Sequence, residues 1–333
     1  MVPTVYVAEP IHVDALDLLA QHTNLTLGFG PSAQPIDAVL ADISGIIWRS
    51  GSLDWKIISA ANNLRVIARH GVGFDNVDVT AATQRNIAVL ITPEANYRAV
   101  AEHVFALLLA TRRHVLLGDR MVRDGRFADR DSLAGNELRG STLGIIGMGR
   151  IGAEVARIAK TGFDMRVLVH DPWLDAIDIA AAGMEPEGRL LALLERSDAV
   201  TVHVPLTAET HDLLGAGELA RMPRHAVLIN TARGGIVNEH ALAIALREGS
   251  IAGAGIDVFG AEPPAPDNPL LSSRRTVLSP HSGALTHEAL RQIALDAARG
   301  VLDVLHGTDP RHPRSGWKAV NAALLDGRGG TRS

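Results

Sequence analysis

The sequence predicts an α/β protein of two domains, built largely from parallel β-α-β units. Three observations predict it. The chain has 333 residues, more than one ordinary core of roughly 100–200 residues holds. Short β-branched or aliphatic runs alternate with helical patterns along most of it. Glycine is in excess at 32 residues, about a tenth of the chain against a usual ~7%, so the positions of the glycines carry information.

The elements follow in order. Val5–Ala8 reads as a strand, and His12–Gln21 carries Val13, Leu16 and Leu19–Ala20 at helical spacing. Leu25–Leu27, Gly45–Trp48, Arg65–Ala68 and Ala88–Ile91 read as four more strands. The rhythm then breaks. Arg98 to about Arg123 reads as one long helical stretch, apolar on nearly all sides from Ala99 to Ala110, and so is expected to be buried between layers or subunits. The rhythm resumes with six strands at Leu143–Ile146, Val167–His170, Ala199–His203, Ala226–Asn230, Gly253–Asp257 and Thr276–Leu278, the number for a doubly wound dinucleotide sheet. A helix runs from Thr286 to about His306, followed by a Pro/Arg-rich return and the apolar Val320–Leu325. The tail Asp326–Ser333 is expected to be disordered.

Composition removes whole classes of function. Lys plus Arg is 32 and Asp plus Glu is 37, a net charge of −5, which gives no electrostatic footprint for nucleic acid or an anionic membrane. No cysteine is present, so disulfides, thiolate metal sites and Cys nucleophiles are excluded, and no metal site is expected. The start lacks a basic segment, and the longest uninterrupted apolar run near the middle, Val104–Ala110, falls far short of the ~20 residues of a membrane span. These features predict a soluble, cytoplasmic protein.

Gly147-Met148-Gly149-Arg150-Ile151-Gly152 is a G-x-G-x-x-G that follows an apolar strand and opens a helix with Ile151, Val155, Ile158 and Ala159 on one face. Gly147 permits the tight turn, Gly149 lets backbone amides approach a pyrophosphate, and Gly152 allows close helix–strand packing. The helix N-terminus then faces the anion. Asp171 ends the next strand, where a carboxylate accepts from ribose hydroxyls and repels a 2′-phosphate, so NAD is favoured over NADP. A Gly-rich turn of a generic α/β fold is the plainer alternative.

Three polar residues sit just past later strands, where open α/β sheets place ligands. They are Arg233 in Asn230–Gly235, Glu262 in Asp257–Pro264 and His281 in Ser279–Ala284. Arg offers a planar fork for a carboxylate, and His beside a carboxylate suits proton transfer near neutral pH. Together with a nicotinamide these are the parts that hydride transfer to a 2-oxo acid needs. Each has a plainer reading alone: a surface pair for Arg233, a loop carboxylate for Glu262, one of 14 histidines for His281. Their conjunction at successive strand ends raises the functional reading.

At these residues the sequence resembles the D-isomer-specific 2-hydroxyacid dehydrogenase family over nearly its whole length. The matching segments are Gly71–Asp78, Thr92-Pro93 through Val100-Ala101-Glu102-His103, Gly144–Gly152, His203–Thr207, Thr231–Glu239, Gly255–Val258 and Pro280-His281. The resemblance implies that Arg233 and His281 are catalytic, with Glu262 paired to His281. It implies Asp257 near the nicotinamide carboxamide, Arg150 and Ile151 on the pyrophosphate, and Val204, Thr231, Ala232, Arg233, His281 and Gly283 along the cofactor. The Val72-Gly73 backbone would bind the substrate carboxylate, with Asn96 close by. Arg49-Ser50 resembles the stretch that phosphoglycerate dehydrogenases use near the substrate phosphate; a solvent-facing Arg is the other reading. His70 and Phe74 depart from the family, which more often has a small residue at the first position and an aliphatic one at the second.

The implied fold is a Rossmann doubly wound parallel sheet, residues 99–285, inserted into a flavodoxin-like substrate domain, residues 1–98 plus 286–333. The site would lie in the cleft between them. The resemblance further implies a homodimer joined through the cofactor domain, where the Ala99–Ala110 helix and an arm at about Asp119–Arg139 would be covered. Phosphite oxidation on the same fold and an NAD(H)-sensing, corepressor-like binding protein are the rival readings, and Glu262 in place of Gln argues against formate oxidation.

Overall fold

The computed structural model describes residues 2–325, so the expected disordered tail Asp326–Ser333 lies outside the described residues. The chain forms two compact units. One comprises the residues up to Asn96 together with those from Leu285 on, and the other comprises Tyr97–Ala284. The sequence placed these junctions at 98/99 and 285/286. The first falls earlier because a helix already opens at Tyr97.

The first unit is a sheet of β1 (Thr4–Val7), β2 (Asn24–Leu27), β3 (Ile43–Trp48), β4 (Val66–Arg69) and β5 (Ala88–Ile91). Their order is β2-β1-β3-β4-β5, all parallel, which is the flavodoxin-like order. The returning segment Lys318–Ala319 adds an antiparallel edge against β5. Both faces are covered, so the strands read as continuous apolar runs rather than alternating ones. Val5, Val7, Ile47, Val66, Ala68 and Leu90 pack in one core with the helix His287–Leu305. Tyr6, Ile46, Ile67 and Val89 point the other way and pack with Ile58, Ala81 and Ala82 from two short helices. The helix His287–Leu305 begins where Thr286 accepts from the Ala289 amide, a capping bond visible in sequence as Thr before an apolar periodic run.

The second unit carries β6 (Thr142–Ile146), β7 (Arg166–His170), β8 (Glu185–Pro186), β9 (Ala199–Val202), β10 (Val227–Asn230), β11 (Gly253–Ile256) and β12 (Thr276–Leu278). The order is β12-β11-β10-β9-β6-β7-β8, a doubly wound sheet with the reversal at β6/β9. Sequence reading gave six strands. β8 escaped it because two residues, one of them proline, carry no apolar pattern. Leu143, Ile145, Val167, Val169, Val227 and Ile229 face the helices Tyr97–Arg112 and Arg150–Phe163, whose Phe105 and Phe163 rings stack at 5.1 Å. Ile146, Leu168, Val200, Val202, Leu228 and Ile256 face the helices Leu190–Arg196 and Glu239–Glu248.

The single helical stretch expected from Arg98 to about Arg123 is corrected. It is two helices, Tyr97–Arg112 and Val115–Arg123, because His114 adopts φ 53 in the left-handed region, which ends the first. The first is not apolar all round. Val100, Ala101, Val104, Phe105, Leu107 and Leu108 are buried, while Arg98, Glu102 and Ala106 form an exposed stripe at four-residue spacing. Leu108 is fully buried against the sheet. Leu108→Ala is expected to destabilise by about 2–5 kcal/mol, read as a lowered urea midpoint at unchanged slope.

Candidate active site

The site in the second unit is made by the carboxyl ends of neighbouring strands. The loop after β6 carries the glycines. Gly147 holds φ +90, and a Cβ there would meet Val204 Cγ1 at 2.8 Å and the His203 carbonyl at 2.9 Å. A Cβ at Gly152 would strike the Gly147 carbonyl, whereas one at Gly149 meets nothing. The backbone is thus drawn in tightly at Gly147 and Gly152 and left open at Gly149. Gly149 caps the fourteen-residue helix that Arg150 and Ile151 begin. Asp171, just past β7, accepts from the Met148 amide at 2.8 Å and from the Trp173 amide at 2.9 Å, so the acid is fixed beside the glycine loop.

After β10, Asn230 shapes the next loop. Its Oδ1 accepts from the Ala232 amide and its Nδ2 donates to the Arg233 carbonyl, both at 3.0 Å. Arg233 Nη1 donates to the Ala232 carbonyl at 2.6 Å. Thr231 Oγ1 is buried with no hydrogen-bond partner among the described residues. A tight loop lined by an open glycine, a helix N-terminus, a fixed acid and an unpartnered buried hydroxyl fits a dinucleotide.

The loops after β11 and β12 bring Glu262 and His281 together. His281 Nδ1 lies 2.7 Å from Glu262 Oε2, and Glu262 Oε1 accepts from the Phe259 amide at 3.1 Å. Beneath them Asp257 is 1% exposed. Its Oδ1 accepts from Ser279 Oγ at 2.6 Å and the Ser282 amide at 2.8 Å, and its Oδ2 accepts from the Gly283 amide at 2.9 Å. His103 Nε2 reaches both Ser279 Oγ, at 2.9 Å, and Asp257 Oδ1, at 3.3 Å. Burial pushes the Asp257 carboxyl up, but these donors outweigh it and hold the group at about 2. His281, at φ 51, also donates its amide to the Asp257 carbonyl at 2.7 Å. Asp257, expected beside a carboxamide, has its carboxylate engaged in holding the His281 loop.

The remaining sequence candidates lie in the first unit. Gly71, at φ +133, has its carbonyl bound by the Thr92 amide at 3.0 Å and Thr92 Oγ1 at 3.3 Å, which fixes the start of the Val72-Gly73 segment. Arg49 donates its amide to Glu9 and Nη1 to the Pro10 carbonyl at 3.2 Å. Asn96 Oδ1 is buried without a partner among the described residues. Phe74 is 40% exposed.

The family model described as "D-isomer specific 2-hydroxyacid dehydrogenase, NAD binding domain" matches residues 105–283. The chain belongs to this family. It is 40% identical over 317 residues to a glyoxylate reductase of Korarchaeum cryptofilum, covering 93% of this chain and 95% of that protein. It is 39% identical over 310 residues to a D-3-phosphoglycerate dehydrogenase of Archaeoglobus fulgidus, covering 92% of this chain but only 58% of that longer one. Among solved structures, the TT0316 protein of Thermus thermophilus superposes with a TM-score of 0.84 at 37% identity, covering 93% of this chain and 99% of that one. The matched region contains the glycine loop, Asp171, Arg233, Glu262, His281 and Asp257, so the NAD-binding domain of the family is present with the fold the strand order shows.

Sequence reasoning assigned no role to His103, Ser279 or Asn230. His103 and Ser279 are 176 residues apart, and no local pattern announces such a pairing; Ser279-Pro280-His281 placed the serine near the site without its partner. No cluster of three or more His, Asp or Glu suited to a metal occurs among the described residues. Asp257 gives a pH prediction. Its folded pKa lies below the ordinary carboxylate value, so its contribution is present above about pH 4 and is lost as pH falls toward 2. The stability gap between the native protein and Asp257→Asn is expected to narrow by on the order of 2 kcal/mol over that window, measured by urea unfolding at stepped pH.

Proposed function

We propose that the protein is an NAD-dependent oxidoreductase that interconverts a D-2-hydroxy acid and its 2-oxo acid, with a substrate of the phosphoglycerate, hydroxypyruvate or glyoxylate type. The observation that carries this reading is the His281–Glu262 pair at 2.7 Å on strand ends next to the Arg233 loop. Reduction of the 2-oxo group requires a hydride at C2 and a proton on its oxygen. Bound NADH is the hydride source that this chemistry calls for.

The chain's residues supply the rest. Glu262 engages Nδ1, which directs Nε2 to the substrate oxygen, where it hands over the proton. The Phe259 amide holds the other carboxylate oxygen, so the imidazole is steered by a fixed partner. Arg233 presents two parallel donors to the substrate carboxylate from a loop that Asn230 pins at two points. Val72 and Gly73 amides, Asn96 and Arg49 are proposed as further substrate contacts. In the oxidation direction His281 takes the hydroxyl proton instead. Gly147, Gly149, Arg150, Ile151 and Gly152 are proposed to take the pyrophosphate, and Val204, Thr231, Ala232, Asp257 and Gly283 to flank the rest of the cofactor. Asp171, at the end of β7, supports NAD over NADP, because its charge repels a 2′-phosphate.

A homodimer through the second unit is part of the same reading. Val115, Leu116, Leu117 and Val122 on one helix, and Phe127 just beyond it, are exposed apolar residues grouped in one segment. No helix among the described residues is long and apolar enough to cross a membrane, and the cysteine-free chain suits the reducing cytoplasm in which we place it.

The test is NADH oxidation with glyoxylate, hydroxypyruvate and pyruvate. His281→Ala is expected to lower kcat by about 10²–10⁴-fold, and Arg233→Ala to raise KM. Equal, slow rates for the native protein and His281→Ala on all three acids overturn the mechanism. Phosphite-dependent NAD reduction, or tight NADH binding with no turnover of any acid, decides for a rival.

A further inference from the structure

The chemistry above leaves one carboxylate of the Thr231–Glu239 run without a task. Glu239 is the first residue of the helix Glu239–Glu248. An acid there ordinarily serves its own helix, by accepting from the free amides of the first turn or by offsetting the dipole. Here Asn238 takes the capping role, accepting from the Ala241 amide at 2.9 Å. Both oxygens of Glu239 are engaged elsewhere. Its Oε1 accepts from the Gly260 amide at 2.6 Å, and its Oε2 accepts from Asn268 Nδ2 at 2.5 Å. The helix behind it is anchored by the buried Leu242, Ala245 and Leu246, so the carboxylate is presented from a firm base.

Gly260 and Asn268 are the two ends of one excursion of the chain after β11, and that excursion carries Glu262. Between them Ala261, Glu262, Pro263, Ala265, Pro266 and Asp267 are exposed. Little apolar burial fixes such a segment, so its polar contacts decide its shape. Beyond it the chain is secured again: Asn268 Oδ1 accepts from the Leu270 amide at 3.0 Å, and Leu270 is fully buried. At its start, successive amides go to successive carboxylates, Phe259 to Glu262 and Gly260 to Glu239. The same stretch abuts the Arg233 loop, since a Cβ at Gly234 would strike the Phe259 carbonyl. The loop after β10 thus meets the loop after β11 at two points, Gly234 and Glu239.

We propose that Glu239 is a positioning residue of the reaction. By holding both ends of the Gly260–Asn268 excursion it keeps the Glu262 carboxylate at the His281 ring and fixes that pair against the Arg233 loop. The assignment rests on the functional reading above and deepens it: the proton donor and the carboxylate clamp come from separate loops, and a carboxylate outside the reaction joins them. Displacing a reacting group by about 1 Å costs as much as 10²-fold in rate. The contacts of Glu239 lie on the loop after β11 rather than on the glycine loop after β6, so its loss bears on turnover and not on the hold on the dinucleotide.

Steady-state kinetics with NADH and a 2-oxo acid carry the test. Glu239→Ala is expected to lower kcat by about 10–10²-fold and to leave KM for NADH unchanged. Glu239→Gln, whose amide oxygen still accepts from Gly260, is expected to recover part of the loss. In a Glu262→Ala background, Glu239→Ala is expected to add nothing further, because its effect passes through Glu262. An unchanged kcat in Glu239→Ala, or losses that add in the double variant, overturns the assignment. Should Glu239→Ala fail to fold, Asn268→Ala frees only the far end of the excursion, and an unchanged kcat there overturns it as well. A native protein that reduces no 2-oxo acid is a failure of the functional reading instead. The positional claim is then read from the ¹⁵N resonances of the His281 ring, which report the Nδ1 contact with Glu262. Glu239→Ala is expected to shift them, and resonances that stay in place overturn the claim.

Discussion

The Asp257 carboxylate is the constraint on which the arrangement of the second unit's chemistry depends. It sits at the carboxyl end of β11 and binds three groups of the loop after β12: the Ser279 hydroxyl and the amides of Ser282 and Gly283. Its own carbonyl takes the His281 amide. A loop that leaves a strand into φ 51 at a non-glycine residue is held there by surrounding contacts rather than by its own preference. Asp257 supplies those contacts, so the direction in which His281 meets Glu262 follows from a third side chain that is not part of the pair. Saturation with donors is also why a nearly fully buried carboxylate remains ionised: each donor stabilises the charge that burial alone would remove. Replacing the charge removes the reason for the loop's shape as well as one interaction.

Sheet topology does the remaining assembly. β10, β11 and β12 are adjacent, so residues dozens of positions apart in sequence emerge side by side at one edge, and β6, β7 and β9 bring the glycine loop, Asp171 and Val204 to the same edge. The glycine excess noted in the composition has a positional meaning here. Gly147 and Gly152 are required because a side chain would collide with backbone or with Val204. Gly149 differs, since a Cβ there would meet nothing and the mouth of the turn stays open. Three glycines in six residues thus perform two opposite tasks, closing the turn and leaving its mouth open.

Much of this was legible in the sequence because it is local. Each strand of the two main sheets longer than two residues was marked by a β-branched or aliphatic run, and the G-x-G-x-x-G, Asp171 and the strand-end residues Arg233, Glu262 and His281 all sit at short, fixed offsets from such runs. What escaped is what locality does not encode. Glu185–Pro186 joins the sheet by edge pairing alone. The break at His114 has no glycine or proline to announce it; a histidine in the left-handed region ends the helix instead. The pairing of His103 with Ser279 and Asp257 closes over more than 150 residues and exists only once β11, β12 and the helix Tyr97–Arg112 are packed. The sequence could single out His281 by its place after a strand, and only packing could show the network of His103, Ser279 and Asp257 beneath it.

Burial separates the histidines of the chain. His203 follows β9 at the same sheet edge as His281, yet burial holds it near 3, so it stays neutral and cannot carry a proton at ordinary pH. His70, in the first unit, is likewise neutral through burial and two neighbouring guanidiniums. His281 differs in both respects: its side chain is 48% exposed, and its ring is held by the Glu262 carboxylate. The proton transfer proposed for His281 needs an imidazole open on one side and held on the other.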